Sequence, residues 1–145
     1  MRVAGIVNVL AYGSAEMIAA AWLHDTIEDT DTTKEELQCH FGKFVSHMVA
    51  ELTNPSKQYP ELRRVQRKQM DREHLEGVSD EAKTIKLADR IDNLRDFGID
   101  PLVPQDFRKL YLEESRQLLG VLYGACPVLH ATLRDMITRQ TKAAT

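Results

Sequence analysis

Apolar side chains recur at helical spacing along this chain, and no stretch alternates convincingly at the two-residue period of a half-buried strand. The clearest stripe lies within residues 80–97, where Ile85, Ala88, Ile91 and Leu94 share one helix face. This pattern predicts an all-α protein whose helices bury their stripes against one another. With 145 residues, the chain suits one domain, residues 1–145, built on one core.

Turn and cap residues set the expected boundaries. A first helix covers 2–11, with Val3, Ile6, Val7 and Leu10 on one face, and Tyr12-Gly13-Ser14 breaks it. Ser14 is placed to cap a second helix over 15–27. Thr33-Lys34-Glu35-Glu36 has the capping-box pattern and opens a third helix, which Gly42 ends. A fourth carries Phe44, Val45, Met48, Val49 and Leu52. After a turn at residues 53–56, a strongly basic helix runs from near Pro60 to about Glu76. Helices over 80–97 and 105–122 follow, and a last one begins at Pro127, with a frayed tail from Thr141.

The chemistry concentrates at the end of the second helix, in Ala20-Ala21-Trp22-Leu23-His24-Asp25-Thr26-Ile27-Glu28-Asp29. If the helix is continuous, His24 neighbours Glu28, and Asp25 neighbours both Glu28 and Asp29. One imidazole and three carboxylates then share a patch, and the carboxylates repel unless a cation or a proton sits among them. Removing Asp25 should relieve that repulsion in metal-free protein. Histidine with carboxylate oxygens is a ligand set for a divalent metal. Asp89 stands at the edge of the 85–94 stripe, and a partly buried carboxylate needs a partner. That partner is either the same metal or a plain ion pair with Lys86 or Arg90.

Composition removes other functions. The net charge is −3 and no basic tract is present, so a nucleic-acid partner has no electrostatic footprint. No apolar run approaches the ~20 residues that span a bilayer, and the N-terminus lacks the pattern of a signal peptide. Cys39 and Cys126 form neither a CxxC motif nor a disulfide framework, which fits a reducing cytoplasm.

The string His24-Asp25-Thr26-Ile27-Glu28-Asp29-Thr30, followed by Ile85-Lys86-Leu87-Ala88-Asp89-Arg90-Ile91-Asp92-Asn93, resembles the HD-domain metal-dependent phosphohydrolases. More narrowly, it resembles the hydrolase half of the RelA/SpoT proteins and the small alarmone hydrolases. The resemblance covers roughly residues 1–122 and implies an HD-type helical bundle. It implies removal of the 3′-pyrophosphate from guanosine tetra- and pentaphosphate with a divalent metal, usually manganese. It further implies His24, Asp25 and Asp89 as metal ligands, with Glu28 and Asp29 activating or positioning the attacking water. Asn93 would lie near the ribose and base, and Arg64 and Arg108 near the substrate phosphates.

Two departures stand out. The family's metal site has a fourth ligand, a histidine a few residues before the stretch matching Arg2-Val3-Ala4, and this sequence begins at Met1. The expectation is a domain lacking the family's N-terminal helix, with apolar surface exposed around Val3, Ile6 and Val7. Asp92 also stands where many relatives have His or Tyr. His40, His47, His74 and His130 do not fall where the missing ligand belongs. Two rival functions remain at this level: hydrolysis of another nucleotide, and nucleotide binding with little turnover.

Overall fold

A computed structural model describes residues 2–11 and 13–144, with the side chain of Leu10 also outside the described set. The elements are α1 (Arg2–Leu10), α2 (Ala15–Leu23), α3 (Thr26–Asp29), α4 (Lys34–Phe41), α5 (Lys43–Leu52), a 3-10 turn (Pro55–Gln58), α6 (Arg64–Glu76), α7 (Asp80–Ile99), α8 (Gln105–Val121) and α9 (Pro127–Ala143). No strand occurs among the described residues.

The organising helix is α7, which packs against α1, α2, α5 and α9. Ile85, Leu87, Ala88, Ile91 and Leu94 are fully buried along it. Truncating one of these branched side chains to alanine should cost ~2–5 kcal/mol, the usual range for a buried aliphatic residue. Ser79 caps α7 by accepting from Ala82 N at 3.2 Å. Glu51 of α5 then accepts from Ser79 N and Oγ at 2.9 and 2.7 Å, tying α5 to the start of α7. The capping box at α4 is present: Thr33 Oγ1 accepts from Glu36 N, and Glu36 Oε2 accepts from Thr33 N. Gly42 links α4 to α5 with φ +88°, a left-handed conformation that suits glycine.

Four expectations need correction. The second helix does not run to residue 27. It stops at Leu23, where the His24 ring turns back to hydrogen-bond the Ala21 carbonyl, one of the groups a helix end leaves unpaired. The basic helix starts at Arg64 and not near Pro60, because residues 59–62 close a turn, with Leu62 N on Tyr59 O at 3.1 Å. The tail continues as helix to Ala143, and Gln105 Nε2 holds the Ala144 carbonyl at 2.7 Å. Val3, Ile6 and Val7 are buried, since α1 packs on α2 and α7. Arg2 adds a clamp there, with Nε 2.9 Å from Asp92 and Nη2 2.6 Å from Asp96. Asp92 therefore faces α1.

Cys39 and Cys126 are free thiols. Among the described residues, no helix is long and apolar enough to cross a membrane.

Candidate active site

His24 and Asp25 occupy the break between α2 and α3, and the break aims their side chains. His24 Nδ1 is 2.7 Å from Ala21 O, so it carries the hydrogen and donates it. Nε2 is left facing Asp25 Oδ2 at 3.1 Å and Asp89 Oδ1 at 3.4 Å. His24 is buried, Asp89 nearly so, and the Asp25 side chain is 58% exposed. The structure thus unites His24, Asp25 and Asp89 across α2 and α7.

Two carboxylates around one ring nitrogen demand a positive charge between them. Burial lowers the His24 pKa, but hydrogen bonds to Asp25, Asp89 and the Ala21 carbonyl outweigh it and raise it to about 10. Asp89 moves the other way: burial raises its pKa, and His24, Lys86 and Arg90 together bring it below the usual carboxylate value. The metal-free cluster is therefore an imidazolium clamped by two carboxylates. Lys86 Nζ, 3.6 Å from Asp89 Oδ2, shows that the two partners foreseen for Asp89 are not exclusive.

The donor chemistry fits a divalent cation. A histidine whose Nδ1–H is fixed on a carbonyl offers Nε2 as ligand, and two carboxylates supply hard oxygens. The spacing does not yet enclose one: among the described residues, no three His, Cys, Asp or Glu side chains surround a common point. Nε2 instead closes directly on the carboxylates, as a proton bridge does.

Glu28 and Asp29 lie beyond the break on α3, and the crowding expected of a continuous helix is dispersed. Glu28 turns away, accepting from Asn54 N at 2.5 Å, with Lys57 Nζ 3.9 Å from its other oxygen. Its side chain is 8% exposed. Burial and, more weakly, the Asp25 charge raise its pKa, partly offset by the Asn54 N–H, Lys57 and Lys86. Asp29 is exposed and makes no side-chain hydrogen bond among the described residues. Asn93 is exposed one turn beyond Asp89, beside the Tyr111 hydroxyl.

The two expected phosphate cations have separate fates. Arg64 forms a two-point pair with Glu114, Nε to Oε1 at 2.7 Å and Nη2 to Oε2 at 2.9 Å, and covers the Phe107 ring. Arg108 is not brought to the cluster. Its guanidinium donates to the Phe97 and Asp100 carbonyls at the far end of α7, about 12 Å along the helix from Asp89.

Sequence reasoning missed Asn54, whose backbone fixes Glu28, and Tyr111 and Glu114, which sit behind Arg90 and Arg64. Asn54 left no side-chain signal. Glu114 did leave one: it falls between Tyr111 and Leu118 on the inward face of α8, where a carboxylate needs a buried cation.

The comparisons agree with this geometry. The family described as HD domain matches residues 1–116. The chain is 40% identical over 144 residues to the guanosine-3′,5′-bis(diphosphate) 3′-pyrophosphohydrolase MESH1 of Xenopus tropicalis, covering 94% of this chain and 77% of the relative. Identity to the Danio rerio protein of the same name is 41% over 140 residues, covering 91% and 74%. The fold superposes with a TM-score of 0.85 on a solved metazoan ortholog of SpoT, reported to hydrolyse ppGpp. That pair is 31% identical over 96% of this chain and 78% of the other. The match takes in the helix break that aims His24 and the α7 segment that carries Asp89, and on that basis the chain belongs to the HD-domain family, among its MESH1-like members.

Proposed function

We propose that this chain is a metal-dependent phosphohydrolase that removes the 3′-pyrophosphate of guanosine tetra- and pentaphosphate, yielding GDP or GTP and pyrophosphate. The setting of His24 carries the reading: with Nδ1–H spent on Ala21 O, only Nε2 faces Asp25 and Asp89. The substrate class is supported by the relatives' names. His24, Asp25 and Asp89 would hold the divalent cation, which we assign as manganese. Such a cation, when bound, supplies Lewis acidity to a phosphoryl oxygen and lowers the pKa of a water.

The remaining work falls to the protein's own groups. Glu28 takes the proton of the attacking water; burial makes its carboxylate a better base, and Asn54 N–H fixes one oxygen while the other, 3.9 Å from Lys57 Nζ, takes the proton. Asp29 orients the water from the solvent side. The water oxygen bonds to the phosphorus nearest the ribose, and the bond from that phosphorus to the ribose 3′ oxygen breaks. The proton held by Glu28 then passes to the departing 3′ oxygen. Asn93 serves the ribose and base beside Tyr111. Arg64, its side chain 37% exposed, presents to a phosphate the edge that Glu114 does not use.

The test is product identification by phosphorus NMR, with guanosine 3′,5′-bis(diphosphate) as substrate and manganese or chelator present. GDP and pyrophosphate in equal amounts, only with manganese, support the reading. Orthophosphate as the first product, or nucleotide bound and unchanged, overturns it.

A further inference from the structure

A second polar feature lies outside the His24 cluster. A narrow cleft, open to solvent, runs between α6, α7 and α8, with Lys68, Arg72, Lys86 and Arg90 among its lining residues. Two carboxylates also line it, Asp71 and Glu114, but both are already engaged. Asp71 accepts from Ser56 N and Oγ at 3.1 and 2.8 Å, and Glu114 accepts both bonds from Arg64.

Lys86 pairs with Asp89, but the other cations are left short of partners. Arg72 and Lys68 make no hydrogen bond or close ion pair among the described residues. Burial, then the neighbouring Arg64 and Arg90 charges, lower the Lys68 pKa, with the Glu114 and Asp71 charges opposing them. Arg90 is 6% exposed, stacks over Tyr111 at 4.4 Å and donates to Ser115 Oγ at 3.3 Å. Its Nε is buried without a partner. A buried donor without an acceptor is costly, so the unpartnered Arg90 Nε and the Lys68 amine lining the same cleft favour an anion there.

We propose that this cleft is a phosphate subsite, in which Lys68, Arg72 and Arg90 bind a phosphate or pyrophosphate group. Guanidinium and ammonium donors converging from two helices suit a polyanionic oxygen cluster. The cleft shares its rim with the His24 cluster. Lys86 reaches Asp89, and Asn54, on the same wall, donates its N–H to Glu28. A phosphate held here therefore lies next to the reacting group. It has two possible sources: the 5′-phosphates of the bound substrate, or the pyrophosphate just released. That choice of source rests on the hydrolase reading; the binding of phosphate itself does not.

The experiment measures inorganic pyrophosphate binding to the 145-residue chain by calorimetry, in chelator and low salt, so that no metal contributes. One site per chain is expected. Lys68→Gln with Arg72→Gln should weaken it at least ~10-fold, the loss expected for two charge-assisted hydrogen bonds. Lys34→Gln with Lys43→Gln, which removes the same charge on α4 and α5, should leave it unchanged. If the Lys68 variant does not fold, Arg72→Gln alone carries the comparison, since that side chain holds nothing else in place. No binding by the parent, or equal weakening by the control pair, overturns the proposal. With manganese and substrate, a raised KM at constant kcat in Arg72→Gln assigns the site to the substrate's 5′-phosphates. Weaker product inhibition at constant KM assigns it to released pyrophosphate. A parent that binds pyrophosphate in chelator but hydrolyses nothing refutes the hydrolase reading and upholds the subsite.

Discussion

His24 Nε2 stands 3.4 Å from Asp89 Oδ1, joining the end of α2 to the middle of α7 through one imidazole and one carboxylate. The contact is buried on both sides, so its charge state is set by the two groups more than by solvent. Without metal it is a proton bridge; the proposed cation would take the same two atoms as ligands.

Asp89→Asn keeps the shape and removes the charge. Manganese binding should weaken by at least ~10–100-fold, the scale even of groups one step removed from a metal. In chelator, the His24 ring should titrate at lower pH than in the parent, because a partner that raises its pKa is gone. Calorimetry and imidazole NMR read these two effects separately. Unchanged manganese affinity would remove Asp89 from the ligand set.

The proton bridge makes metal-free stability depend on pH. The His24 pKa lies above its ordinary value of ~6.5, at about 10. The unfolded chain therefore loses this proton first as pH rises. The contribution is complete below pH ~6.5 and is lost as pH climbs through about 10. Melting curves in chelator should fall from pH 7 to 10 in the parent and less steeply in His24→Gln. Asp25→Ala should lower the melting temperature at pH 7. Its carboxylate accepts from the buried His24 ring, and that bond outweighs the weaker repulsion it exerts on Glu28, so the sign expected from repulsion reverses. An exposed pair of this kind is worth ~0–1 kcal/mol, so the drop should be small.

Glu28→Gln should leave manganese affinity nearly intact and cut turnover by ~10²-fold or more, the scale of a positioned general base. The amide oxygen still accepts from Asn54 N, so the α3 segment keeps its anchor. Loss of metal together with activity would make Glu28 a ligand and not a base.

Arg64→Gln should destabilise the fold by ~1–3 kcal/mol, because it strands the buried Glu114 carboxylate. Adding Glu114→Gln should recover most of that loss, as a thermal-melt double-mutant cycle would report. Full stability in the single variant would show that the pair contributes nothing.

Much of this was legible in the sequence, and the failures have a common cause. The Ile85–Leu94 stripe gave α7, and Thr33 with Glu36 gave the start of α4, because spacing and caps act locally. The His24, Asp25 and Asp89 set could be named from residue types and resemblance. The break after Leu23 could not, since it depends on a ring bonding back to Ala21 while reaching a distant aspartate. Glu28 turning to Asn54, Arg108 capping α7 and the Lys68–Arg90 cleft likewise depend on which helices meet. A count of charges along the chain shows none of these.

The central claim is that the His24–Asp25–Asp89 cluster is a metal-dependent hydrolytic site. The most direct measurement titrates manganese into chelator-treated protein and follows pyrophosphate release from guanosine 3′,5′-bis(diphosphate), in the parent and in Asp89→Asn. The account predicts release that rises with manganese to saturation in the parent and stays at background in the variant, with both proteins folded. Equal release by the two, or release in chelator alone, would contradict it.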